Sequence, residues 1–356
     1  MPGAIVIGGS VAGLTAGAEL AEGGVQVTLL ERETALGYHA SGRSAAMFEM
    51  GYGPAAVQRL TEASEAEYVA NDILSPRGLI LVGRADQATA FDADVAALGL
   101  IRISTDQALG RVPILNPDAL AFAALSPTAR DLDTDRVLQG AAKRLRAAGG
   151  RIVTGAEVHA IRQNAGGWTV SAGDEHAADL LINAAGAWAD QVATLAHVAP
   201  IGLQPKRRSM ARLPAPGGHD VTGWPMLMGV DESWYAKPDA GGWIVSPSEA
   251  HPIDPCDAWP DDMVLAEGIA RYEAMVSEPV TRLETSWAGL RTFPPDGVPA
   301  IGPDPDHPGF IWCAGQGGYG FQTAPAAGRL TAALALGAAP QLDAATVAAL
   351  NPARFR

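Results

Sequence analysis

Cysteine, basic charge and long apolar runs are all scarce in this sequence of 356 residues. Two cysteines, Cys256 and Cys313, are too few for a disulfide framework or a cysteine metal cluster, which favours a reducing compartment. Lys and Arg number 25 against 39 Asp and Glu, and the net charge of -14 repels the phosphates of nucleic acids and anionic lipid headgroups. No run reaches the roughly 18 apolar residues of a membrane span, and no secretory signal pattern opens the chain. We therefore expect a cytoplasmic protein with no integral membrane segment, no nucleic-acid partner and no metal site.

Length and composition indicate a globular protein with more than one core. At 356 residues the chain is longer than most single domains, so we expect two cores, or one core with a large inserted lobe. Hydrophobic residues make up 48% and charged residues 18%, with 41 Gly and 26 Pro. That balance fits an enzyme and not a disordered or coiled-coil chain.

The start of the chain predicts one βαβ unit. Residues 4–7 form an unbroken apolar run that ends in glycine, which is typical of a parallel strand covered on both faces. A turn at residues 8–13, a helix over residues 14–21 and a strand over residues 25–30 follow, and Glu31 ends that strand.

The turn carries a dinucleotide-binding fingerprint with one substitution. In that motif the first glycine allows the tight turn, the second lets the backbone approach the pyrophosphate, and the third lets the helix pack on the strand. Gly8 and Gly13 fill the outer positions, and Glu31 stands where a carboxylate accepts ribose hydroxyl protons and disfavours NADP. Ser10 replaces the middle glycine, where it either crowds the phosphate or donates a hydrogen bond to it.

The nucleotide-binding domain is discontinuous, because further elements of the same kind follow only after long interruptions. We predict a helix over residues 135–148, a strand over residues 151–153 and a strand over residues 180–183 that leads into a small-residue turn. A helix over residues 323–336 closes the domain.

Residues 205–279 have a different composition, which is rich in Trp, Met and Pro. Strand-like runs around Leu227 and Trp243 predict an antiparallel sheet. Such a sheet can lie against the nucleotide-binding domain as a substrate lobe.

Several longer motifs occur beyond the fingerprint, at residues 37–46 (GYHASGRSAA), 203–209 (LQPKRRS), 224–226 (WPM), 231–235 (DESWY), 288–291 (AGLR) and 316–320 (QGGYG). With these motifs in this order over nearly its whole length, the chain resembles the D-amino-acid oxidase superfamily of FAD enzymes, and within it the bacterial D-arginine dehydrogenases. The resemblance implies an α/β fold with an added antiparallel sheet, of D-amino-acid oxidase type. It comprises a discontinuous Rossmann-like FAD-binding domain (1–76, 132–204 and 286–356) and an α+β substrate-binding domain (77–131 and 205–285).

The fingerprint and the resemblance together imply that FAD is the cofactor. The expected cofactor-binding residues are Gly8, Ser10, Val11, Ala12, Gly13, Glu31, Arg32, Arg43, Ser44, Ala45, Val158, Ala185, Gly186, Trp188, Arg291, Gly317, Gly318, Tyr319, Gly320, Gln322 and Thr323. Cys313 lies only a few residues before the turn expected at the flavin ring, but nothing there matches the flavin attachment site of the related sarcosine oxidases. We therefore expect noncovalent FAD.

The resemblance also assigns the substrate end of the site. Arg291 and Tyr235 are expected to hold a substrate carboxylate with Arg208 nearby, the backbone of Gly318 to contact the substrate, and Tyr52 to be the lid tyrosine. Arginine suits a carboxylate because its planar guanidinium can form two parallel hydrogen bonds.

The expected side-chain pocket departs from that of the arginine enzymes. Leu79 stands where those enzymes have the glutamate that pairs with the substrate guanidinium, and Met47 replaces a histidine. Met226 and Met228 extend the apolar wall, and Gln322 completes the pocket, which indicates an aliphatic or aromatic substrate side chain. Glu49 replaces a threonine and either faces solvent or pairs with a basic group, so the side-chain preference stays open.

The resulting hypothesis is FAD-dependent oxidation of a D-amino acid. Hydride transfer from Cα to flavin N5 would give the imino acid, then the 2-oxo acid and ammonia, with a quinone or dioxygen as electron acceptor. One alternative keeps the cofactor and the arginine clamp but oxidises an N-alkyl or cyclic amino acid or a 2-hydroxy acid. Another is a non-catalytic FAD-binding subunit.

Overall fold

The protein is described by a computed structural model that covers residues 2–356. Within that range the strands form four sheets. The strands are β1 (Gly3–Ile7), β2 (Gln26–Glu31), β3 (Met47–Phe48), β4 (Leu74–Pro76), β5 (Leu79–Gly83), β6 (Ile101–Ile103), β7 (Phe122–Ser126), β8 (Arg130–Leu132), β9 (Arg151–Thr154), β10 (Ala160–Asn164), β11 (Gly167–Ala172), β12 (Asp174–Ala178), β13 (Leu180–Asn183), β14 (Gln204–Leu213), β15 (Met226–Gly229), β16 (Tyr235–Asp239), β17 (Gly242–Ser246), β18 (His251–Pro252), β19 (Thr285–Phe293), β20 (Ala300–Pro303) and β21 (Phe310–Ala314). The α-helices are α1 (Val11–Glu22), α2 (Ala55–Ala70), α3 (Ala88–Leu98), α4 (Thr105–Arg111), α5 (Thr134–Ala147), α6 (Ala189–Leu195), α7 (Asp262–Glu273), α8 (Gly320–Ala335) and α9 (Ala344–Leu350).

The first sheet has six strands in the order β20-β21-β13-β1-β2-β9, and all its pairings are parallel except that of β20 with β21. Its strand β1 is apolar on both faces. Ala4 and Val6 pack in a cluster with residues of α1, α5 and α8, while Ile5 and Ile7 pack with residues of α6 and β11. The sequence prediction of a doubly covered parallel strand is confirmed.

Most predicted elements of this sheet and its helices are confirmed within a few residues. The largest differences are at the starts of two helices: α1 begins at Val11 and not at residue 14, and α8 begins at Gly320 and not at residue 323. Each of these helices follows a parallel strand through a glycine-rich turn. Their amino ends therefore lie at the same edge of the sheet, where the carboxyl ends of the strands also lie.

Helix α2 is missing from the predicted elements, and it packs along α8. Pro325 inside α8 has no amide hydrogen, which leaves the Phe321 carbonyl without its helical donor. The Tyr68 hydroxyl of α2 donates a hydrogen bond to that carbonyl, and Ser64 Oγ accepts one from the Ala326 amide at 3.2 Å. The sequence analysis missed α2 because the buried face of the helix includes hydroxyl side chains such as Ser64, which weaken the apolar periodicity.

The second sheet has nine strands and is mixed. The strands within residues 205–279 pair with one another only in the antiparallel direction, so the antiparallel sheet predicted for that segment is confirmed. Strands β5 and β15 pair in parallel, with Leu79 opposite Met226, and the other pairings are antiparallel. The parallel pair arises because the two strands come from separate insertions, and a long connection lets them run in the same direction. Strand β19 pairs with β14 in this sheet. The domain boundaries given in the sequence analysis remain a prediction.

Two smaller sheets complete the fold: β10-β11-β12 covers one face of the first sheet, and β3-β8-β4 lies beside the second. Among residues 2–356, no helix combines the length and the apolar character that crossing a bilayer requires.

Candidate active site

A cleft lies between the two large sheets, at the carboxyl ends of β1, β2 and β13. Most of the residues predicted from the sequence line it: Gly8, Ser10, Val11, Ala12, Glu31, Arg32, Arg43, Ser44, Ala45, Met47, Val158, Ala185, Gly186, Trp188, Arg208, Arg291, Gly317, Gly318, Gly320 and Gln322. The other predicted residues are not part of this lining: Gly13, Glu49, Tyr52, Leu79, Met226, Met228, Tyr235, Tyr319 and Thr323.

The glycine turn before α1 is built by close backbone contacts. Gly8 has a φ of +111°, a conformation that favours glycine, and a Cβ at Gly13 would overlap the Gly8 carbonyl oxygen. Ser41 Oγ accepts a hydrogen bond from the Val11 amide at 3.2 Å. The next amides of the first helical turn remain directed at the cleft, where a helix amino end favours an anionic group.

Ser10 is accommodated in this turn without backbone strain. Its φ of -94° and ψ of -175° describe an extended conformation that any residue adopts, and its carbonyl accepts the Leu14 amide at 2.9 Å. The side chain lines the cleft and forms no capping hydrogen bond with α1. Of the two interpretations of Ser10, this geometry supports a hydroxyl that is free to donate to a phosphate.

Glu31 is buried at the end of β2 and is held by two backbone amides. Gly9 donates to Oε2 at 2.6 Å, and Glu33 donates to Oε1 at 2.8 Å. A carboxylate has about four acceptor positions, so both oxygens keep capacity for ribose hydroxyls.

Arg43 lines the cleft, but its guanidinium is directed at protein groups. It donates to the carbonyls of Ala258 at 3.0 Å and Ala288 at 2.9 Å, and it pairs with Asp257. The hydrogen bond from Arg43 lowers the pKa of Asp257. Arg43 therefore connects its own segment to β19 and to the segment before α7, and its charge is already balanced.

Arg32, His39 and Trp188 meet at another part of the cleft wall. The guanidinium carbon of Arg32 lies 4.7 Å from the centre of the Trp188 ring, in a cation–π contact, and the centre of the His39 ring lies 4.6 Å from that of Trp188 with the two rings tilted by 50°.

The turn before α8 fits a flat polar cofactor such as FAD. Gly317 has a φ of +52°, and a Cβ there would overlap the ring of Phe293. The side-chain oxygen of Gln316 is buried on the cleft wall without a hydrogen-bond partner among residues 2–356. Cys313 also lines this wall, and burial raises the pKa of its thiol to about 11. The thiol is therefore protonated at neutral pH, which opposes its use as a nucleophile for covalent flavin attachment.

Two arginines and one carboxylate form the charged part of the site. Arg208 Nη1 donates to Glu232 Oε1 at 2.8 Å, and Arg291 Nη1 lies 3.4 Å from the same oxygen. Arg291 Nη1 also donates to the Tyr52 hydroxyl at 3.1 Å, and this hydroxyl donates to the Glu232 carboxylate at 3.3 Å. Burial raises the pKa of Tyr52 to about 12, so its hydroxyl stays protonated and remains a donor.

Arg291 keeps one edge of its guanidinium for a ligand. Its hydrogen bonds to protein use Nη1 alone, so Nε and Nη2 have no protein partner among residues 2–356. A Cβ at Gly318 would lie 2.9 Å from Arg291 Nη1, so the guanidinium lies directly against the Gly318 backbone and would have to shift if that residue carried a side chain. This arrangement can bind a carboxylate through two parallel hydrogen bonds.

An apolar wall flanks the arginines. Met47 and Met210 line the cleft, and the Tyr235 hydroxyl is directed at the Met210 sulfur at 3.3 Å rather than at the cleft. Met226, Met228 and Leu79 pack behind them in one buried cluster. Gln322 is buried and donates to the Tyr52 carbonyl at 3.1 Å.

Glu49 is buried, so it does not face solvent. Its carboxylate accepts a hydrogen bond from Ser126 Oγ at 2.6 Å and one from the Gly51 amide at 3.3 Å. No cation pairs with it among the residues that the structure covers. Its partners are thus neutral hydrogen-bond donors on neighbouring elements.

Glu232 and Ser41 are the functional side chains that the sequence analysis misses. The available signal for Glu232 is an acidic pair, Asp231 and Glu232, directly after the apolar run of residues 226–230. Backbone strain marks the same pair, since φ is +59° at Asp231 and +48° at Glu232, at a cost of order 1 kcal/mol each.

Comparison with known proteins gives relatives among flavin oxidases. The glycine oxidase of Geobacillus kaustophilus is 25% identical over 367 residues, which cover 92% of this chain and 91% of that protein. FAD-dependent oxidoreductase domain-containing protein 1 of Xenopus laevis is 28% identical over 182 residues, which cover 44% of this chain and 34% of that protein. The chain thus spans about a third of the length of this second relative.

Solved structures of amino-acid oxidising enzymes share the fold over nearly their whole length. The glycine oxidase of Geobacillus kaustophilus superposes with a TM-score of 0.81 at 22% identity, covering 98% of both chains. The L-proline dehydrogenase of P. horikoshii gives a TM-score of 0.83 at 22% identity, covering 99% of this chain and 97% of that one. Iminodiacetate oxidase from Chelativorans sp. BNC1 gives a TM-score of 0.77 at 19% identity, covering 96% of this chain and 97% of that one. At these identities the likeness shows the fold alone.

The family model described as FAD dependent oxidoreductase (DAO) matches residues 4–334, which is most of the chain. The fold, the glycine turn and the cofactor cleft agree with that match. This protein is therefore an enzyme of the DAO family of FAD-dependent oxidoreductases, and its cofactor is FAD.

Proposed function

We propose that this enzyme oxidises a D-amino acid with an apolar or mixed side chain to the imino acid. Water then hydrolyses the imino acid to the 2-oxo acid and ammonia. The observation that carries the proposal is the unpaired edge of Arg291, formed by Nε and Nη2, on the wall of the cleft. A guanidinium edge held in place by Tyr52 and Gly318 suits the carboxylate that every α-amino acid carries.

The residues that would hold FAD lie along the cleft. The turn from Gly8 to Gly13 would bind the pyrophosphate, Glu31 the ribose, and the backbone around Gly317 the flavin ring. The chemistry that FAD supplies when bound is acceptance of a hydride from the substrate carbon.

The residues of the chain supply binding and orientation. Arg291 fixes the substrate carboxylate, and Tyr52 keeps the guanidinium of Arg291 in position through its hydroxyl. The buried wall with Met47 and Met210 excludes water from the substrate side chain. The substrate ammonium loses a proton to solvent before its carbon is oxidised.

The side-chain and amine preferences belong to the proposal as well. The apolar lining supports an aliphatic or aromatic substrate, and the likeness to the D-arginine dehydrogenases stays a prediction. A second candidate substrate is an N-alkyl or cyclic amino acid. It is favoured by the shared fold of L-proline dehydrogenase and iminodiacetate oxidase, whose names give substrates with secondary amines.

Anaerobic reduction of the bound flavin tests the proposal. Panels of D-, L- and N-methyl amino acids, with glycine and proline, are mixed with the holoenzyme, and loss of flavin absorbance is followed. We expect D-amino acids with apolar side chains to bleach the flavin fastest. If no amino acid bleaches it, the proposed function is wrong, and fastest reduction by an N-substituted substrate would favour the second candidate.

A pair of variants connects the result to the proposed clamp. Arg291→Lys should raise the substrate concentration for half-maximal reduction by about 30-fold, because the two parallel hydrogen bonds are lost. Arg282→Lys is the matched control, since Arg282 is exposed and pairs only with Glu284. Equal behaviour of the two variants would remove Arg291 from the clamp.

The electron acceptor and the location of the protein complete the proposal. Rapid reoxidation of the reduced holoenzyme by air would indicate dioxygen, and reoxidation only by a soluble quinone would indicate a dehydrogenase. A cytoplasmic location stays a prediction from the low cysteine count.

A further inference from the structure

We propose that Glu232 makes the arginine pair selective for a ligand with a single carboxylate, by neutralising one of its two positive charges from within the protein. The inference rests on the proposed function in one respect, namely that the ligand carboxylate belongs to the substrate. It concerns the charge of the site and not the oxidation itself.

One carboxylate oxygen serves both arginines. Glu232 Oε1 lies 2.8 Å from Arg208 Nη1 and 3.4 Å from Arg291 Nη1, and within residues 2–356 Arg208 has no other acidic partner. Arg208 is buried and Glu232 is partly exposed, so salt screens this pair less than it would a pair on the open surface. The two guanidinium groups and the one carboxylate form a cluster with a net charge of one.

Glu232 is ionised in this environment. Burial acts to raise the pKa of its carboxyl group, but attraction to Arg291 and Arg208 outweighs burial and lowers the pKa. The neighbouring phenols of Tyr52 and Tyr319 carry no charge, because burial raises the pKa of each. Glu232 is therefore the carboxylate that balances the pair.

Other charged side chains near the cluster are balanced elsewhere or face outward. Arg207 pairs with Glu249 at 3.9 Å and with Asp261 at 3.3 Å. Asp94 accepts the Asp231 amide at 2.7 Å, and the Asp231 side chain is exposed. The charged groups in direct contact with Arg291 are thus those of the cluster.

The loop of residues 229–234 holds Glu232 in a backbone conformation that is unfavourable for residues other than glycine. Asp231 and Glu232 both have positive φ, and the Gly229 amide fixes the loop by donating to the Trp234 carbonyl at 2.9 Å. Strained residues persist where the surrounding structure over-determines them, typically at functional sites. The strained backbone conformation places the Glu232 carboxylate beside the two arginines, which supports a role for this acid in the site.

A site with one net positive charge matches a ligand with one carboxylate. A second carboxylate on the ligand would be desolvated without a positive partner and would be repelled by Glu232. Glu232→Gln keeps the size and the hydrogen-bonding reach of the side chain and raises the net charge of the cluster to two. Attraction grows with ligand charge, so a dicarboxylate should gain more than a monocarboxylate.

Calorimetric titration of the FAD-loaded enzyme with propionate and with succinate tests the charge assignment, since neither acid is an amino acid substrate. In Glu232→Gln we expect the Kd of succinate to fall by about tenfold or more and that of propionate by about threefold or less. Asp231→Asn removes the same charge from the neighbouring exposed residue and should leave both Kd values within about twofold. The double variant Glu232→Gln/Arg208→Gln restores a net charge of one and should lose the gain for succinate.

Four results would overturn the proposal. If the Kd values of propionate and succinate fall equally in Glu232→Gln, Glu232 merely competes with any carboxylate. If neither Kd changes, the role of Glu232 is structural. The same shift in Asp231→Asn would make the effect one of overall charge, and failure of either acid to bind any form would exclude a carboxylate site. An enzyme that no amino acid reduces but that shows the succinate shift would refute the proposed function and leave the charge assignment standing.

Discussion

The Cα of Gly13 lies directly against the main-chain carbonyl of Gly8. A Cβ on residue 13 would overlap that oxygen and approach the carbonyl carbon to 3.1 Å. Both are main-chain atoms of the turn that follows β1, so neither can move without moving the strand. The amino end of α1 therefore faces the cleft only because residue 13 lacks a side chain.

Replacing Gly13 should cost the enzyme its cofactor. We expect Gly13→Ala to lose FAD on desalting, because the helix end must move away from the pyrophosphate. Gly17→Ala in the same helix is the matched control, since its Cβ would meet Leu145 at an ordinary 3.5 Å. The control should keep FAD and gain up to about 1 kcal/mol of stability from helix propensity. The measurement is flavin absorbance per protein, and full FAD content in Gly13→Ala would contradict the expectation.

Ser10 should contribute to FAD affinity through its hydroxyl. Ser10→Ala is expected to raise the Kd of FAD by about 2- to 10-fold, because one hydrogen bond to phosphate is lost. If serine instead crowds the phosphate, the variant would bind FAD more tightly. Ser104→Ala is the control: it removes the hydroxyl that caps α4 by accepting the Gln107 amide at 3.1 Å, and it should lower stability by about 1 kcal/mol without changing the Kd. Titration of the apoprotein with FAD, followed by flavin fluorescence, measures the Kd of FAD for both variants.

The elements that the sequence predicts correctly have local signals. β1 is an apolar run bounded by glycine, and α5 is capped by the preceding Asp133, whose side chain accepts the Arg136 amide at 2.9 Å. Where the signal depends on distant partners, the prediction fails. Helix α2 buries Ser64 because α8 offers it an amide, and the parallel pairing of β5 with β15 depends on where two insertions meet.

The same distinction applies to the candidate site. Motif resemblance predicts Arg291 and Gly318, which the structure brings into contact. It gives no role to Glu232, because the partners of this residue come from β14, β19 and the segment before α2. Glu49 shows the reverse case: the sequence leaves its direction open, and the hydroxyl of Ser126 decides it.

Cys313 should be chemically inert in the folded enzyme. Because burial raises the pKa of its thiol to about 11, little thiolate forms at about pH 8, and alkylation should be slow. We expect iodoacetamide to modify the partly exposed Cys256 in the native enzyme and to reach Cys313 only after unfolding in urea. The mass of the denatured protein should equal that of the 36.7 kDa chain. An added flavin mass would contradict noncovalent binding, and Cys256→Ser provides the control for labelling at Cys313 alone.

Asp304 should make the fold sensitive to acid. It is buried, and its carboxylate accepts hydrogen bonds from Trp312 Nε1 at 3.1 Å and Arg356 Nη2 at 2.6 Å. Burial acts to raise the pKa of Asp304, but these hydrogen bonds outweigh it and lower the pKa below the ordinary 3.8. The ionised group therefore stabilises the folded state fully above 3.8, and this contribution is lost as the pH falls through the lowered pKa.

Asp304→Asn tests this contribution against pH. At neutral pH the variant should lose about 1.5 to 3 kcal/mol of unfolding free energy, because hydrogen bonds to a charged acceptor become bonds to a neutral one. The gap between native enzyme and variant should narrow as urea unfolding is repeated at pH values below 3.8, where the native carboxyl group also becomes neutral. Asp220→Asn serves as the control, since the Asp220 side chain is exposed and its carboxylate accepts hydrogen bonds from the nearby Thr222, whose amide lies at 3.0 Å. A gap that stays constant from neutral pH to about pH 3 would mean that the charge of Asp304 contributes nothing to stability, and that Asp304→Asn acts through packing alone.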